Sequence, residues 1–458
     1  LAAADDTQTG ILARARQIGE ALGGTVQDRI VTAIYRRAET VAAQVVQAPP
    51  RPARGWEVFV DDLLTSRLLG YPVMLALLGL ILWLTLAGAN IPSTLLARLF
   101  LGLQDKLTAL CQLTGVPEWL HGVLVLGVYG TAAWVVAVML PPMAIFFPLF
   151  TLLEDLGYLP RVAFNLDRFF RKAGTQGKQA LTMGMGFGCN AAGVVACRII
   201  ASPRERLIAT LTNVFVPCNG RLPTLIALAG VLGGGTAAAA GAVAGLVLLG
   251  VAVTFLVAWV LGRTLLRGTP SAFALELPPY RPPQLGRILV RSFCDRTFVV
   301  LKRAVTVAAP AGAVIWVLAN VNLGGTSLLI RMAGGLDPLG RLLGLDGFIL
   351  TAFILGLPAN EIVLPILLMG YLAAGTMVKV TSVTTLHDLL LANGWTWLTV
   401  LNTMLFSLLH YPCATTLLTI RKETGNWQWT VTAALIPTLV ALIVCFLTTQ
   451  GARLLGLV

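Results

Sequence analysis

The sequence predicts an all-α polytopic membrane protein, built as two inverted-topology repeats with re-entrant hairpins and broken helices and preceded by a short cytoplasmic helical segment. Three observations carry this. Hydrophobic residues make up 57% of the 458 residues and charged residues only 12%, with a mean hydropathy of +0.81; soluble domains carry about twice that charged fraction. Apolar runs long enough to cross a hydrocarbon core of about 30 Å recur along the chain. The polar interruptions inside those runs come back in a fixed order.

Residues 1–66 read as a cytoplasmic amphipathic lead-in. In QDRIVTAIYRRAETVAAQVV the apolar residues fall at helical spacing with Arg and Glu between them, and APPRPARGW ends that helix. The chain starts at Leu1 rather than Met and shows no signal-peptide pattern, so a longer or trimmed parent polypeptide is expected. Residues 67–158 hold the first membrane helices, at 68–88 and 119–141, the second ending at Pro141-Pro142. MAIFFPLFTLLEDLGY beyond it is too short and interrupted to read as a separate crossing. Residues 93–110, STLLARLFLGLQDKLTAL, read as a helix lying along the interface. A first repeat at 159–266 contains runs near 179–200, 207–233 and 236–265. A basic cytoplasmic linker follows at 267–303, and a second repeat at 304–450 contains runs near 304–322, 348–372, 396–420 and 428–449.

The net charge of +12 lies in short loops between apolar runs, the pattern of orientation by cytoplasmic Lys and Arg rather than of nucleic-acid binding. Seven cysteines, at 111, 189, 197, 218, 294, 413 and 445, show no CxxC spacing and mostly fall within apolar runs, which excludes a disulfide framework. No GxxxxGK[ST] loop and no HExxH motif is present. The chain therefore reads as a non-enzyme whose driving energy comes from a gradient or from a domain outside it.

Four runs are interrupted in mid-membrane: GMGFGCNAAG, NVFVPCNGRLP, GLPANEIVLP and LLHYPCATT. Backbone freed by such a break is tolerated only where protein or a water-lined cavity satisfies it, although Gly and Pro also occur in membrane helices as simple kinks. The breaks are related. A shift of 170 places Leu166-Asp167 on Leu336-Asp337, Gly174 and Gly177 on Gly344 and Gly347, Gly186 on Gly356 and Asn190 on Asn360. VPCN at 216–219 then meets YPCA at 411–414 at a shift of 195, with an insertion around 373–397. Basic residues flank the first broken segment on both sides (Arg161, Arg168, Arg171, Lys172 and Lys178 before it, Arg198, Arg204 and Arg206 after it), so both ends face the cytoplasm. The second is flanked by mixed charge (Arg331, Asp337, Arg341, Asp346; Lys379, Asp388) and enters from the other side. The linker charges Arg263, Arg267, Arg281, Arg287, Arg291, Arg296, Lys302 and Arg303 fit a cytoplasmic loop. Inverted repeats whose broken helices meet at the midplane are a transporter architecture.

An ionisable group at membrane depth costs at least about 2.5–3.5 kcal/mol and usually faces a cavity or partner, which singles out Glu361; a protonated or backbone-capped carboxylate is its structural alternative. Cys189, Cys218 and Cys413 stand at the break points, whereas Cys111, Cys197, Cys294 and Cys445 read as buried hydrophobes. Sulfur, the amides of Asn190 and Asn360, and a carboxylate together suit a soft-to-borderline divalent transition metal better than Mg or Ca. His410, three residues before Cys413, is a candidate ligand or proton carrier. Met183 and Met185 could supply thioether sulfur or simply pack. Glu154-Asp155 could attract cations or snorkel.

From LLEDLGYLPRVAFNLDRFF through TNVFVPCNGRLP the chain closely resembles the first Gate region of the ferrous iron transporter B (FeoB) family; GLPANEIVLPILLMGYLAAG and FSLLHYPCATTLLTIRKETGNW resemble its second. The resemblance covers roughly residues 55–450, and residues 25–66 resemble the segment joining the family's cytoplasmic GTPase domain to the membrane. It implies Fe(II) uptake across the bacterial inner membrane by a multi-pass protein with a cytoplasmic N-terminus, gated by a G domain that binds GTP and Mg2+. It implies also that Cys189, Cys218 and Cys413 line the iron path. The sequence departs from the family in having no GTPase domain, so the G domain is expected in the same parent chain or as a separate partner. Ala359 stands where the first Gate has Cys189, leaving Glu361 to supply the charge. The lipid bilayer, a small cytoplasmic accessory protein and a homo-oligomer are the further candidate partners. Two other functions are open to the same residues: a concentrative nucleoside-type transporter, which would want more polar tips, and a non-transporting membrane scaffold.

Overall fold

The computed structural model describes residues 14, 17, 26–45, 56–66, 68–232, 235–268, 283–378 and 382–457. The expectations that fall on residues 1–13 and 46–55, on Arg281 and on Lys379 lie outside the described residues. Among the described residues six helices are long and apolar enough to cross a membrane, or up to seven if one bent pair counts as a single span. The fold is all-α and polytopic.

The lead-in forms α1 (Val26–Val45) and α2 (Trp56–Thr65). The first membrane helices are α3 (Gly70–Leu113) and α4 (Glu118–Asp155), the latter with a π-helical stretch at Gly122–Tyr129. Residues 93–110 are thus not a separate interfacial helix but the second half of α3. The helix from 119 likewise does not end at Pro141-Pro142; it continues to Asp155. Pro92, Pro141, Pro142 and Pro148 all sit inside these helices. A proline removes only its own N–H, and in hydrocarbon continuing the helix is the cheapest way to satisfy the remaining backbone.

The first repeat contains α5 (Tyr158–Lys172), α6 (Lys178–Gly188), α7 (Asn190–Ala196), α8 (Pro203–Thr212), α9 (Leu222–Val231) and α10 (Gly235–Arg263). Next comes α11 (Leu285–Asn320), a single helix that absorbs the end of the expected linker: residues 285–303 are its first turns. A two-residue-strand hairpin, β1 (Asn322–Leu323) with β2 (Thr326–Ser327), leads into the second repeat. That repeat contains α12 (Leu328–Leu342), α13 (Gly347–Leu355), a 3-10 turn at Asn360–Ile362, α14 (Val363–Tyr371), α15 (Val383–Ala392), α16 (Trp397–Leu409), α17 (Ala414–Thr424) and α18 (Trp427–Leu454). The element order of the first repeat recurs in the second, with α15 as the insertion.

The repetition extends to individual hydrogen bonds. Asp167 accepts from Gly177 N at 2.7 Å and from Arg171 Nε at 2.6 Å; Asp337 accepts from Gly347 N at 3.2 Å and from Arg341 Nε at 2.7 Å. Gly174 and Gly344 between them hold φ of 81° and 66°, backbone that disfavours a side chain. The carboxylate thereby closes the turn from the first helix of each repeat into its broken segment. The angle between α12 and α13 is 113°.

A single apolar cluster, with Phe215, Leu225, Phe353, Ile362 and Leu408 wholly buried, joins the inner helices of the two repeats. In lipid such packing gains dispersion rather than release from water, so its contribution depends on close fit.

Candidate functional site

In the first repeat α6 ends at Gly188, one residue runs extended at Cys189 (φ −157°, ψ 126°), and α7 starts at Asn190. The second repeat breaks in the same way at Ala359 (φ −155°, ψ 125°), immediately before Asn360. One extended residue between helical segments turns its backbone and side chain away from the helix axis. Each tip then faces a Pro-Cys break, at Pro217-Cys218 before α9 and at Pro412-Cys413 before α17.

The four breaks meet. A cavity of about 30 Å3 is lined by Cys189, Asn190, Cys218, Asn219, Asn360, Glu361 and Cys413, together with Thr415, Thr416 and residues of α4 and α11. About 30 Å3 is the share of one water molecule in the liquid, enough for one ion stripped of its outer hydration. Cys413 Sγ lies 3.3 Å from Thr416 Oγ1. The Glu361 carboxylate lies against Gly220, where a Cβ would strike Oε1. Among the described residues no three His, Cys, Asp or Glu side chains close around a common point.

The Asn190 amide is held structurally. Hydrogen-bonding surroundings orient Asn190 so that Nδ2 donates to the carbonyls of Val216 at 3.1 Å and Gly186 at 3.2 Å. Asn213 Nδ2 donates to Asn190 O at 3.1 Å, and Ala414 N to Leu357 O at 2.7 Å. Each tip is thereby tied to its own Pro-Cys break.

His410 is not brought to the cavity. Its Nδ1 lies 2.9 Å from Phe406 O and 3.0 Å from Ser407 O, and its ring stacks on Phe406 with centroids 5.6 Å apart. The ring is occupied with the last turn of α16. Met183 and Met185 also lie elsewhere, packed with Phe146 and Phe150; the thioethers at the cavity are Met139 and Met143 of α4. Glu154 pairs with Arg296 of α11 at 3.0 Å.

Arg221, which the sequence reading passed over, is 1% exposed. Its Nη1 donates to Val214 O at 3.0 Å and Leu408 O at 2.7 Å; its Nη2 donates to His410 O and Tyr411 O, both at 3.1 Å. Three of those carbonyls belong to the second repeat, so one guanidinium fastens the two Pro-Cys breaks together behind the cavity. An Arg inside an apolar run is the same signal that singled out Glu361. Asn219 and Thr415 were passed over for a different reason: only their placement shows them to be unusual.

Two family models match the sequence. One, Gate, described as "Nucleoside recognition", matches residues 136–232 and 301–427; the other, "Ferrous iron transport protein B C terminus", matches 243–294. The chain is 29% identical over 452 residues to the Fe(2+) transporter FeoB of Staphylococcus aureus strain COL, covering 96% of this chain and 66% of that protein. It is 26% identical over 454 residues to the Fe(2+) transporter FeoB of Methanocaldococcus jannaschii, covering 96% and 64%. It is 25% identical over 435 residues to a Fe(2+) transport protein A/Fe(2+) transporter FeoB fusion protein of Porphyromonas gingivalis, covering 85% and 50%. This chain thus spans about two thirds or less of these relatives' lengths. No solved structure matches.

Proposed function

Since the chain belongs to the ferrous iron transport protein B family, we propose that it is the membrane part of a Fe(II) uptake permease. Fe(II) is its cargo, passing through the cavity between the two hairpin tips and the two Pro-Cys breaks. The observation that carries this reading is that Cys189, Cys218, Glu361 and Cys413, from four separate breaks, all line one small cavity. Sulfur and carboxylate on a buried path fit a borderline divalent metal. Glu361 supplies charge beside Cys218, and the three thiols supply soft ligands on successive sides of the passage. GTP and Mg2+ would bind in a domain outside these residues, since no phosphate loop is present. We place the protein in the bacterial inner membrane with α1 and α2 on the cytoplasmic side, as the basic flanks of the first repeat suggest. The fusion of one relative to a Fe(2+) transport protein A supports a small accessory protein as partner.

A nucleoside is the less favoured cargo. Small-molecule pockets run to about 300–1,000 Å3, against a cavity of about 30 Å3.

The test is Fe(II) uptake into proteoliposomes or iron-starved cells by the Cys218→Ser and Glu361→Gln proteins at matched membrane levels. Loss of uptake in both is expected. Undiminished uptake in both would leave the scaffold reading standing, and concentration of radiolabelled nucleoside in vesicles would favour the nucleoside reading.

A further inference from the structure

Among the described residues, two polar side chains at the cavity have no protein partner. Asn219 is 7% exposed and Thr415 is 4% exposed. Among the described residues neither the Oδ1 nor the Nδ2 of Asn219, nor the Oγ1 of Thr415, finds a hydrogen-bond partner, and both residues line the cavity. An unsatisfied buried polar group costs about 1–3 kcal/mol, and an amide carries two such groups here. Asn190, in the same wall, has its amide donors placed on two carbonyls, so the fold can satisfy an amide at this depth and does not do so for Asn219.

We infer that Asn219 and Thr415 are oxygen ligands to the passing cation, and that they set which divalent metal the passage favours. The inference rests on the permease reading above and deepens it. Each Pro-Cys break presents one sulfur and one oxygen: Cys218 with Asn219, and Cys413 with Thr415. Three thiols and one carboxylate alone would offer a passing ion a sulfur-rich set of at most four donors. Such a site suits Zn(II) or Cu(I), and at equal ligands Zn(II) binds more tightly than Fe(II). A neutral amide oxygen and a hydroxyl raise the available coordination number and harden the donor set. That moves preference towards metals that accept six ligands, Fe(II) and Mn(II), and away from tetrahedral Zn(II). Neither oxygen adds charge, so the ion can still leave.

The two breaks do not deliver their oxygens from matched positions. By the shift of 195, Asn219 aligns with Ala414 and Thr415 with Gly220. A methyl on Gly220 would strike Glu361, so the first break cannot carry a Thr there and offers its oxygen one residue earlier.

The experiment compares Asn219→Ala, Thr415→Val and the conservative Thr415→Ser in the full-length protein reconstituted in proteoliposomes, measuring Fe(II) and Zn(II) flux separately and in competition. The first two substitutions remove unpartnered polar atoms, so folding is not at risk. The Fe(II):Zn(II) flux ratio should fall at least about tenfold in each, the lower end expected for losing one contact to a charged partner, and Thr415→Ser should restore it. Co(II) loaded as a spectroscopic probe should give the weak visible bands of high coordination in the unsubstituted protein and intense tetrahedral bands in the Asn219→Ala, Thr415→Val double variant. An unchanged flux ratio together with raised thermal stability would overturn the inference, because both side chains would then be structural faults and not ligands. Failure of the permease reading is separately visible as absence of any metal flux in the unsubstituted protein, and it removes this inference with it.

Discussion

Replacing Arg221 by Met tests whether the two repeats are fastened at the cavity. The guanidinium makes four donations to carbonyls, at 3.0, 2.7, 3.1 and 3.1 Å. Hydrogen bonds to charged groups contribute about 1.5–3 kcal/mol each, so their gross sum is about 6–12 kcal/mol. Against this stands the cost of burying the cation, several kcal/mol even after relaxation, which Met would relieve; with each orphaned carbonyl costing about 1–3 kcal/mol, the net loss comes to about 3 kcal/mol. We expect that loss in reversible SDS unfolding of the micellar protein. Hydrogen exchange should speed up at the amides of residues 408–414, whose carbonyl neighbours lose their common donor. Arg221→Lys should fall between, since one ammonium cannot reach both Val214 and Tyr411 in a fork. A loss below about 1 kcal/mol, with residues 408–414 still protected, would mean that the breaks are held by apolar packing alone, on the scale of an ordinary surface substitution.

Three further outcomes are expected. Gly220→Ala should fold but lose most uptake, because its methyl overlaps the Glu361 carboxylate; wild-type flux would place Glu361 elsewhere during transport. Gly347→Ala should destabilise the fold by more than about 2 kcal/mol, since its Cβ meets Ala333 O and overpacking plus a displaced cap typically costs that much; thermal unfolding reads it, and a neutral change would refute the tight-turn account. Arg198 and Glu423 form a forked ion pair at 2.7 and 2.8 Å between the end of the first hairpin and α17. With Arg198 63% exposed, Glu423→Gln should alter stability by about 1 kcal/mol or less, whereas a disulfide between Arg198→Cys and Glu423→Cys should arrest uptake until reduced. Uptake through the oxidised pair would show that α7 and α17 need not part.

The fold was legible where the sequence repeats itself and misleading where proline was taken as punctuation. Asp167 and Asp337, with the glycines that follow them, stood out because a close turn leaves few allowed residues, and the structure gives both carboxylates the same two donors. Pro141-Pro142 suggested an end that does not exist. In water a lost N–H bond can be replaced by solvent and the helix stops; in hydrocarbon nothing replaces it and the helix continues. Of the candidate ligands, those at a break were placed by the break, and Cys189, Asn190, Cys218, Asn360, Glu361 and Cys413 all reach the cavity. His410 did not follow them, because its ring faces back along α16, a rotamer choice that spacing does not reveal. Asn219 and Thr415 were invisible for the opposite reason: a polar residue beside a break is common, and only the absence of a partner marks these two.

The two halves share a scaffold and differ in chemistry, and physical necessity accounts for the difference. At the aligned positions Cys218 meets Cys413 and Asn190 meets Asn360, but Cys189 meets Ala359, Ala191 meets Glu361 and Arg221 meets Thr416. A second arginine at 416 would put two guanidinium charges around about 30 Å3 of space, and like charges at such separations repel strongly where the effective dielectric is low. A single arginine suffices to fasten both breaks because its fork reaches carbonyls on each. Its positive charge lies behind the cavity that the proposed cation would cross, and a carboxylate on the cavity wall would offset its field there. Glu361, on the other repeat and against the glycine next to Arg221 in sequence, is the carboxylate positioned to do so. If the two charges offset each other, loss of either alone should cost more than loss of both. On that account Glu361→Gln combined with Arg221→Met should be less unstable than the sum of the two single substitutions, a coupling of about 0.5–3 kcal/mol; strict additivity would separate the clamp from the cavity's charge.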